Sequence, residues 1–286
     1  MNIWQAVVEA LDSLLANKLR SSLTILGIVI GVAAVIAMLA VGEGAQQTIT
    51  GSINEIGSNL LFVFPGNFTE DVSGGKPLTQ GDAEAIMDPS QAPSVAQVAP
   101  VLSGSARLTY GSETSNTSIE GVTPEYQSVR NFTLSEGEFV NTDNILGRAS
   151  VVVLGSQTAE KLFGHSDGVV GETIRIEGQP FRVQGVLASK GGGAFGSQDN
   201  VALIPFTTAQ SRLLRRSNNR VDTIYIQAVS AEAVSQAAEE VKEILRSRHR
   251  IGFATEDFTV YTQQDFVATA STITGVLTLF LGGIAA

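Results

Sequence analysis

The chain has 286 residues and a mass of 30.0 kDa, room for one or two domains beside membrane segments. Its formal charge is −10, and 16 basic against 25 acidic residues between Ala45 and Asp265 place a net −9 on that stretch, which argues against nucleic acid as a partner. Cysteine is absent, so disulfides, thiol catalysis and thiolate metal sites are excluded, and the two histidines, His165 and His249, lack metal-ligand spacing.

Residues 1–20 read as an interfacial amphipathic helix. Ile3, Trp4, Val7, Val8, Leu11, Leu14, Leu15 and Leu19 recur at helical spacing with polar residues between them. Trp4 suits the headgroup level of a bilayer, and Lys18 and Arg20 would anchor the turn into a span at the cytoplasmic face. Ser21 to Gly42 then runs without a charge, and at a rise of about 1.5 Å per residue it crosses a hydrocarbon core of about 30 Å. Residues 21–44 are therefore expected to form a transmembrane helix. A secretory signal would carry a shorter apolar core and would not have Glu9 and Asp12 in its leader. No positive residue follows before Lys76, so the positive-inside rule places the N-terminus in the cytoplasm and the chain beyond Gly42 outside.

Past Gly44 the pattern stays helical but turns polar, with Ile49, Ile53 and Ile56 as a narrow seam, which predicts a stalk continuous with the span. Gly57-Ser58-Asn59 ends it, and Leu60 to Phe64 reads as a buried strand closed by Pro65-Gly66. Thr79 is placed to cap a helix running to Ile86. A strand at Val95–Val101 follows, then a hairpin of Ser105–Tyr110 and Thr114–Val122 around Gly111-Ser112.

The middle of the chain predicts a strand at Ser150–Leu154 and a helix from Ser156 to Phe163 capped by Ser156. Next come a hairpin over Thr173–Leu187 turning at Gly178-Gln179-Pro180, a mobile glycine-rich loop at Lys190–Asn200, and a strand at Val201–Ile204 ending at Pro205. A strand at Thr223–Val229 precedes an amphipathic helix at Ala231–Arg248 whose buried stripe is Val234, Ala237, Ala238, Val241, Ile244 and Leu245. Arg246, Arg248 and Arg250 suit its C-terminal dipole, and Phe258–Tyr261 is a last short strand. Phe266 to Ala286 is again uncharged and predicts a second span, 266–286, within which the sequence stops; the chain reads as a fragment.

Catalytic signatures are weak. Gly191-Gly192-Gly193-Ala194-Phe195-Gly196 satisfies the dinucleotide fingerprint but is followed by a turn and a strand where that site needs a helix. No phosphate-binding Gly-x-x-x-x-Gly-Lys-Ser/Thr loop occurs, so no catalytic, cofactor-binding or metal residue is assigned. Acidic pairs such as Glu136 with Glu138 read as solvated faces. Arg212, Arg215, Arg216 and Arg220 form a basic patch that reads as solvated surface rather than as a contact for a partner or lipid headgroups.

Four stretches carry a resemblance: Asn17-Lys18-Leu19-Arg20-Ser21-Ser22-Leu23-Thr24-Ile25-Leu26-Gly27 continuing to Val32, the Gly42-Glu43-Gly44-Ala45 junction, Gly57-Ser58-Asn59-Leu60-Leu61, and Lys190-Gly191 running to Val201 and Ile204-Pro205. Together they resemble the permeases of MacB-type ABC transporters, the macrolide-efflux and FtsX-like family. The resemblance implies a membrane protein of mixed α+β class with an extracytoplasmic core domain over 45–265. That domain would comprise a porter-like part (45–122 and 221–265) and an inserted subdomain (123–220). The resemblance also implies four spans in all, a homodimer or paralogous pair, and an ABC ATPase subunit that holds the ATP and magnesium. It leaves room for a periplasmic adaptor and an outer-membrane channel. Gly44, Ile49, Ile53 and Ile56 would then form a mechanical stalk, and the chain would act as a non-enzymatic permease of the cell inner membrane that drives efflux. The alternative is a two-span receptor with an outside sensor domain.

Overall fold

The computed structural model describes residues 4, 17–54, 59–67, 76–193, 196–214, 219–251 and 255–285. It divides into two compact units, Met1–Thr50 with Ala268–Ala286, and Gly51–Val267. Helix α1 (Lys18–Asn54) is unbroken over 37 residues. Its Lys18–Gly42 portion contains an 18-residue window with a mean hydropathy of 2.8 and is, among the described residues, the one helix long and apolar enough to cross a membrane. Leu23, Ile25, Leu26, Ile28, Val29 and Ile30 are all more than half exposed, while Ala34, Val35, Met38 and Gly42 are half-buried. The few polar groups are absorbed by the helix itself: the Ser22 and Thr24 hydroxyls donate to the carbonyls of Leu19 and Arg20. Of the interfacial helix expected over 1–20, all but Trp4 and Asn17–Arg20 lies outside the described residues.

The second unit is built on one long sheet. Its strands are β1 (Leu60–Pro65), β2 (Val95–Tyr110), β3 (Glu113–Val122), β4 (Leu134–Gly137), β5 (Val151–Leu154), β6 (Thr173–Ile176), β7 (Gln179–Leu187), β8 (Gly192–Gly193), β9 (Gly196–Ser197), β10 (Val201–Pro205), β11 (Thr223–Ala228) and β12 (Phe258–Thr262). They run in the order β12-β1-β11-β2-β3-β10-β5-β7-β4, with β8 and β9 pairing apart from them. Strand β2 is the spine. Residues 95–101 pair with β11, and residues 102–110 pair with β3, so the separate strand and hairpin arm expected from the sequence are one continuous element. β6 bridges β7 to the far end of β2, through Ile176 opposite Leu108 and Arg175 opposite Thr109. The pairings β2-β3-β10-β5-β7-β6-β2 thus close into a ring, which leaves fewer strand edges unpaired.

Alternation along the strands sends residues to two cores. On one face lie Leu61, Val63, Val98, Leu102, Ala106 and Leu108, and on the other Leu60, Phe62, Ala99 and Val101. In β7 the register slips at Gln184, where Val152 pairs with Val183 but Val153 pairs with Gly185. This bulge lets Phe181 and Val183 before it and Val186 after it face the same core although their parity differs.

The helices complete the cores. α2 (Gln80–Ile86) starts with a capping box in which Thr79 and Asp82 satisfy each other's backbone. α3 (Glu125–Val129) and α4 (Thr142–Leu146) are single turns. α5 (Ser156–Phe163) is capped by Gly155 and not by Ser156, which is its first helical residue. The chain passes so close there that a Cβ on residue 155 would lie 2.3 Å from the Asp199 carbonyl oxygen, so only glycine fits at the cap. α6 (Phe206–Thr208) leads into a π-helical turn at Ala209–Leu213. α7 (Val234–His249) packs with α2 over β1, β2 and β12, and α8 (Gln263–Ala285) carries the chain onward from β12.

Two local expectations change. The hairpin turns at Glu177-Gly178, both at positive φ (48° and 80°), so Gln179 and Pro180 already belong to β7. The base of the Lys190–Asn200 loop is fixed, because the Asp199 carboxylate accepts from the Ser189 hydroxyl (2.6 Å) and from the backbone N–H groups of Lys190 (2.8 Å) and Gly191 (2.9 Å).

Candidate functional site

The smaller core is rich in aromatic rings because the pleat sets Phe62 and Phe64 of β1, Tyr225 of β11 and Tyr261 of β12 on one side. Phe266, at the start of α8, meets Phe62 edge-on at 5.2 Å and stacks on Tyr261 at 5.1 Å. Tyr225 sits edge-on to both Phe62 (5.3 Å) and Tyr126 (5.4 Å). Of these rings, Phe62, Phe64, Tyr126, Tyr225 and Phe266 surround a cleft of about 300 Å³ whose remaining wall includes Glu120, Arg130, Phe132 and Gln198.

Arg130 reaches the cleft because α3 ends sharply. Asn131 adopts a positive φ of 51°, the Asn131 N–H donates to the Ser128 carbonyl, and the Phe132 N–H donates to that of Gln127. The guanidinium carbon then lies 5.0 Å from the Tyr225 ring centre and 5.8 Å from that of Phe132. Its Nη2 donates to Gln198 Oε1 at 3.2 Å, while its Nε, fully screened from solvent, has no hydrogen-bond partner among the described residues. Lys190 Nζ donates to the Arg130 carbonyl (2.8 Å) and stands 4.8 Å from the Phe132 ring centre.

On the other wall the Tyr126 hydroxyl donates to Glu120 Oε2 at 2.6 Å. Burial, followed by the Glu120 carboxylate, pushes the Tyr126 phenol well above its usual range; burial lifts Tyr225 to about 12 against the pull of Arg130. Burial also opposes the charge on Arg130, but Tyr126, Tyr225 and Glu120 more than offset it, and the guanidinium stays charged. Both phenols are neutral at physiological pH, so the site offers rings, a fixed cation and hydrogen-bond donors. This is equipment for binding. Among the described residues there is no group of three or more metal-ligating side chains.

The cleft-lining residues include none of those singled out from the sequence. Trp4 is exposed, and Lys18 and Arg20 are exposed in the first turn of α1. Gly44 lies exposed within α1 with open space where a side chain would stand. Ile49 and Ile53 lie in α1 with side chains outside the description, and Ile56 lies outside the described residues. Of the basic patch, Arg212 donates to the Ser150 hydroxyl and Arg220 pairs with Asp222 at 3.7 Å, while Arg215 and Arg216 lie outside the described residues. The one readable signal for the cleft was Phe62 and Phe64 two residues apart, which a strand must present on one face.

A second cluster was also missed. His249 is buried, with Nδ1 2.7 Å from Asp257 Oδ1 and Nε2 3.4 Å from Asp82 Oδ2. Arg248 Nε donates to Asp82 Oδ1 at 2.6 Å, and the Lys76 backbone N–H and Nζ reach Asp257 and the His249 carbonyl. The cluster fastens α2, α7 and the approach to β12.

Comparison with known proteins gives three findings. The family described as MacB-like periplasmic core domain matches residues 21–244. The macrolide export ATP-binding/permease proteins MacB of Chlorobium luteolum and of Escherichia coli O6:K15:H31 are each 34% identical to the chain, over 299 and 280 residues, covering 100% and 97% of it. The chain spans 44% and 42% of those relatives. The periplasmic region of MacB from Actinobacillus actinomycetemcomitans superposes with a TM-score of 0.63 at 23% identity, over 77% of this chain and 95% of that one. The extracellular domain of the ABC-type transporter YknZ from Gram-positive bacteria gives 0.58 at 20%, over 71% and 100%. These two likenesses concern the fold alone. By the family match over most of its length and its identity to these relatives from end to end, the chain belongs to the MacB-like periplasmic core domain family of ABC transporter permeases.

Proposed function

We propose that the chain forms the first span, the extracytoplasmic domain and the second span of a permease subunit. In this reading an ATP-hydrolysing partner in the cytoplasm supplies the energy, and two permeases act as a pair in the inner membrane. The outside domain changes shape to drive efflux of a macrolide-like drug, a peptide or a lipoprotein, with an adaptor and an outer-membrane channel where the envelope has them. The relatives named above are called macrolide export ATP-binding/permease proteins, which supports the reading.

The observation that carries it is the continuity of α1. A helix without a break from the apolar Lys18–Gly42 portion to Asn54 transmits displacement, whereas a flexible linker would absorb it. Phe266 to Ala285 would return the chain across the membrane as the second span. The stalk residues Gly44, Ile49, Ile53 and Ile56 would carry the motion, and Trp4, Lys18 and Arg20 would hold the bilayer surface. Three glycines inserted between Gly44 and Asn54 should abolish efflux by the assembled transporter while leaving ATPase binding and folding intact. Unchanged efflux would refute the lever.

A further inference from the structure

We propose that the cleft around Arg130 binds a planar aromatic molecule carrying one carboxylate or a similar anion. The inference concerns binding and holds whether or not the chain takes part in export.

Size and lining define the apolar half of the ligand. A cleft of about 300 Å³ lies at the small end of the range for small-molecule pockets. Its rings, 5.2–5.4 Å apart in edge-on pairs around Phe62 and Tyr225, set faces and edges toward the space, the geometry in which a further ring packs best.

Charge defines the other half. The cleft is lined by one cation, Arg130, and one carboxylate, Glu120, which already accepts from the Tyr126 hydroxyl. Arg130 is incompletely used. Its Nε has no acceptor among the described residues, and its Nη2 is held by the neutral amide oxygen of Gln198 at 3.2 Å. A buried charged donor without a partner is unfavourable, and a guanidinium edge matches a carboxylate in a two-bond fork. Gln198 therefore acts as a placeholder: a carboxylate that displaces its side chain takes over the Nη2 bond and satisfies Nε as well. No covalent step is involved.

The test uses the whole 286-residue chain in lipid nanodiscs, with empty nanodiscs as the control for partitioning. 2-Naphthoate is titrated beside 2-naphthylmethanol and 2-naphthylmethylamine, which keep the rings and change the charge, and binding is read by saturation-transfer NMR. The acid should bind at least about 10-fold more tightly than the alcohol or the amine, the factor expected for a charge-assisted pair. Arg130→Met should cost at least about 10-fold, and Gln198→Ala should tighten binding by removing the competitor. Equal binding of acid and alcohol, or no binding of the acid at millimolar concentration, overturns the proposal. So does undiminished binding in a folded Arg130→Met variant. Should that variant fail to fold, Gln198→Ala decides: tighter binding of the acid alone supports the site, and unchanged binding overturns it.

Discussion

Asp82 is 3% exposed, and a carboxylate so placed survives as an anion only if every lone pair is used. It accepts from the Thr79 N–H (2.8 Å), the Thr79 hydroxyl (2.7 Å) and Arg248 Nε (2.6 Å), and it faces His249 Nε2 at 3.4 Å. Burial is the largest single influence and raises its pKa, but the bonds from Arg248 and Thr79 outweigh it and hold the carboxyl below its ordinary value. A folded-state pKa below the unfolded one means that this stabilisation is complete above the ordinary carboxylate range and is lost as the pH falls through the depressed value. Asp82→Asn should therefore lower the unfolding free energy at about pH 7 by about 3 kcal/mol, the cost of leaving Arg248 and His249 without their acceptor. In urea unfolding the gap to the wild type should narrow below about pH 4. A gap that stays constant down to about pH 3 would mean that the capping geometry, and not the charge, carries the contribution.

Among the elements, α7 was the most legible. Val234, Ala237, Ala238, Val241, Ile244 and Leu245 recur at helical spacing, and all six are buried against the sheet and α2. Leu245 is fully buried, so Leu245→Ala should cost about 3 kcal/mol through lost transfer energy and the cavity left behind. A loss under about 1 kcal/mol, read as the shift in the urea midpoint at constant slope, would mean that α2 and β1 close over the gap. The same period was read to end at Arg248, and nothing local says that His249, the last residue of the helix, is buried. Its partners Asp82 and Asp257 lie on α2 and beside β12, one of them 167 residues away in sequence. β2 was read as two strands because Ser103 and Gly104 interrupt its apolar pattern, and the element continues through them by exchanging one partner strand for another. The β7 bulge hid in the same way, since one unpaired residue inverts the alternation on which strand reading depends. The cleft has a non-local origin too: rings from β1, α3, β11 and α8 converge only when the sheet is assembled.

For the molecule as a whole the decisive fact is that Lys18–Gly42 exposes apolar side chains over most of its surface, with Leu19 at 87% and Leu23 at 73%. In water each such side chain forgoes about 1.5–3 kcal/mol of burial, and about ten of them together would outweigh the marginal stability of a domain this size. A bilayer would remove that cost, and the positive-inside rule, applied to Lys18 and Arg20 at the N-terminal end with no cation before Lys76, predicts the direction of crossing. The absence of native cysteine makes the direction directly measurable, because a single introduced thiol is then the sole target for a maleimide. Ser112→Cys, on the exposed turn between β2 and β3, should react with a membrane-impermeant maleimide in intact spheroplasts. Asn17→Cys, just before α1, should react only after lysis. A cysteine appended after Ala286 should behave like Asn17→Cys if α8 returns across the membrane. Labelling of the appended cysteine in intact cells would leave α8 outside and remove the second span from the proposed permease. Labelling of Asn17→Cys in intact cells, with Ser112→Cys protected, would invert the molecule and place the Arg130 cleft in the cytoplasm, where an ATP-driven lever could not act on anything outside.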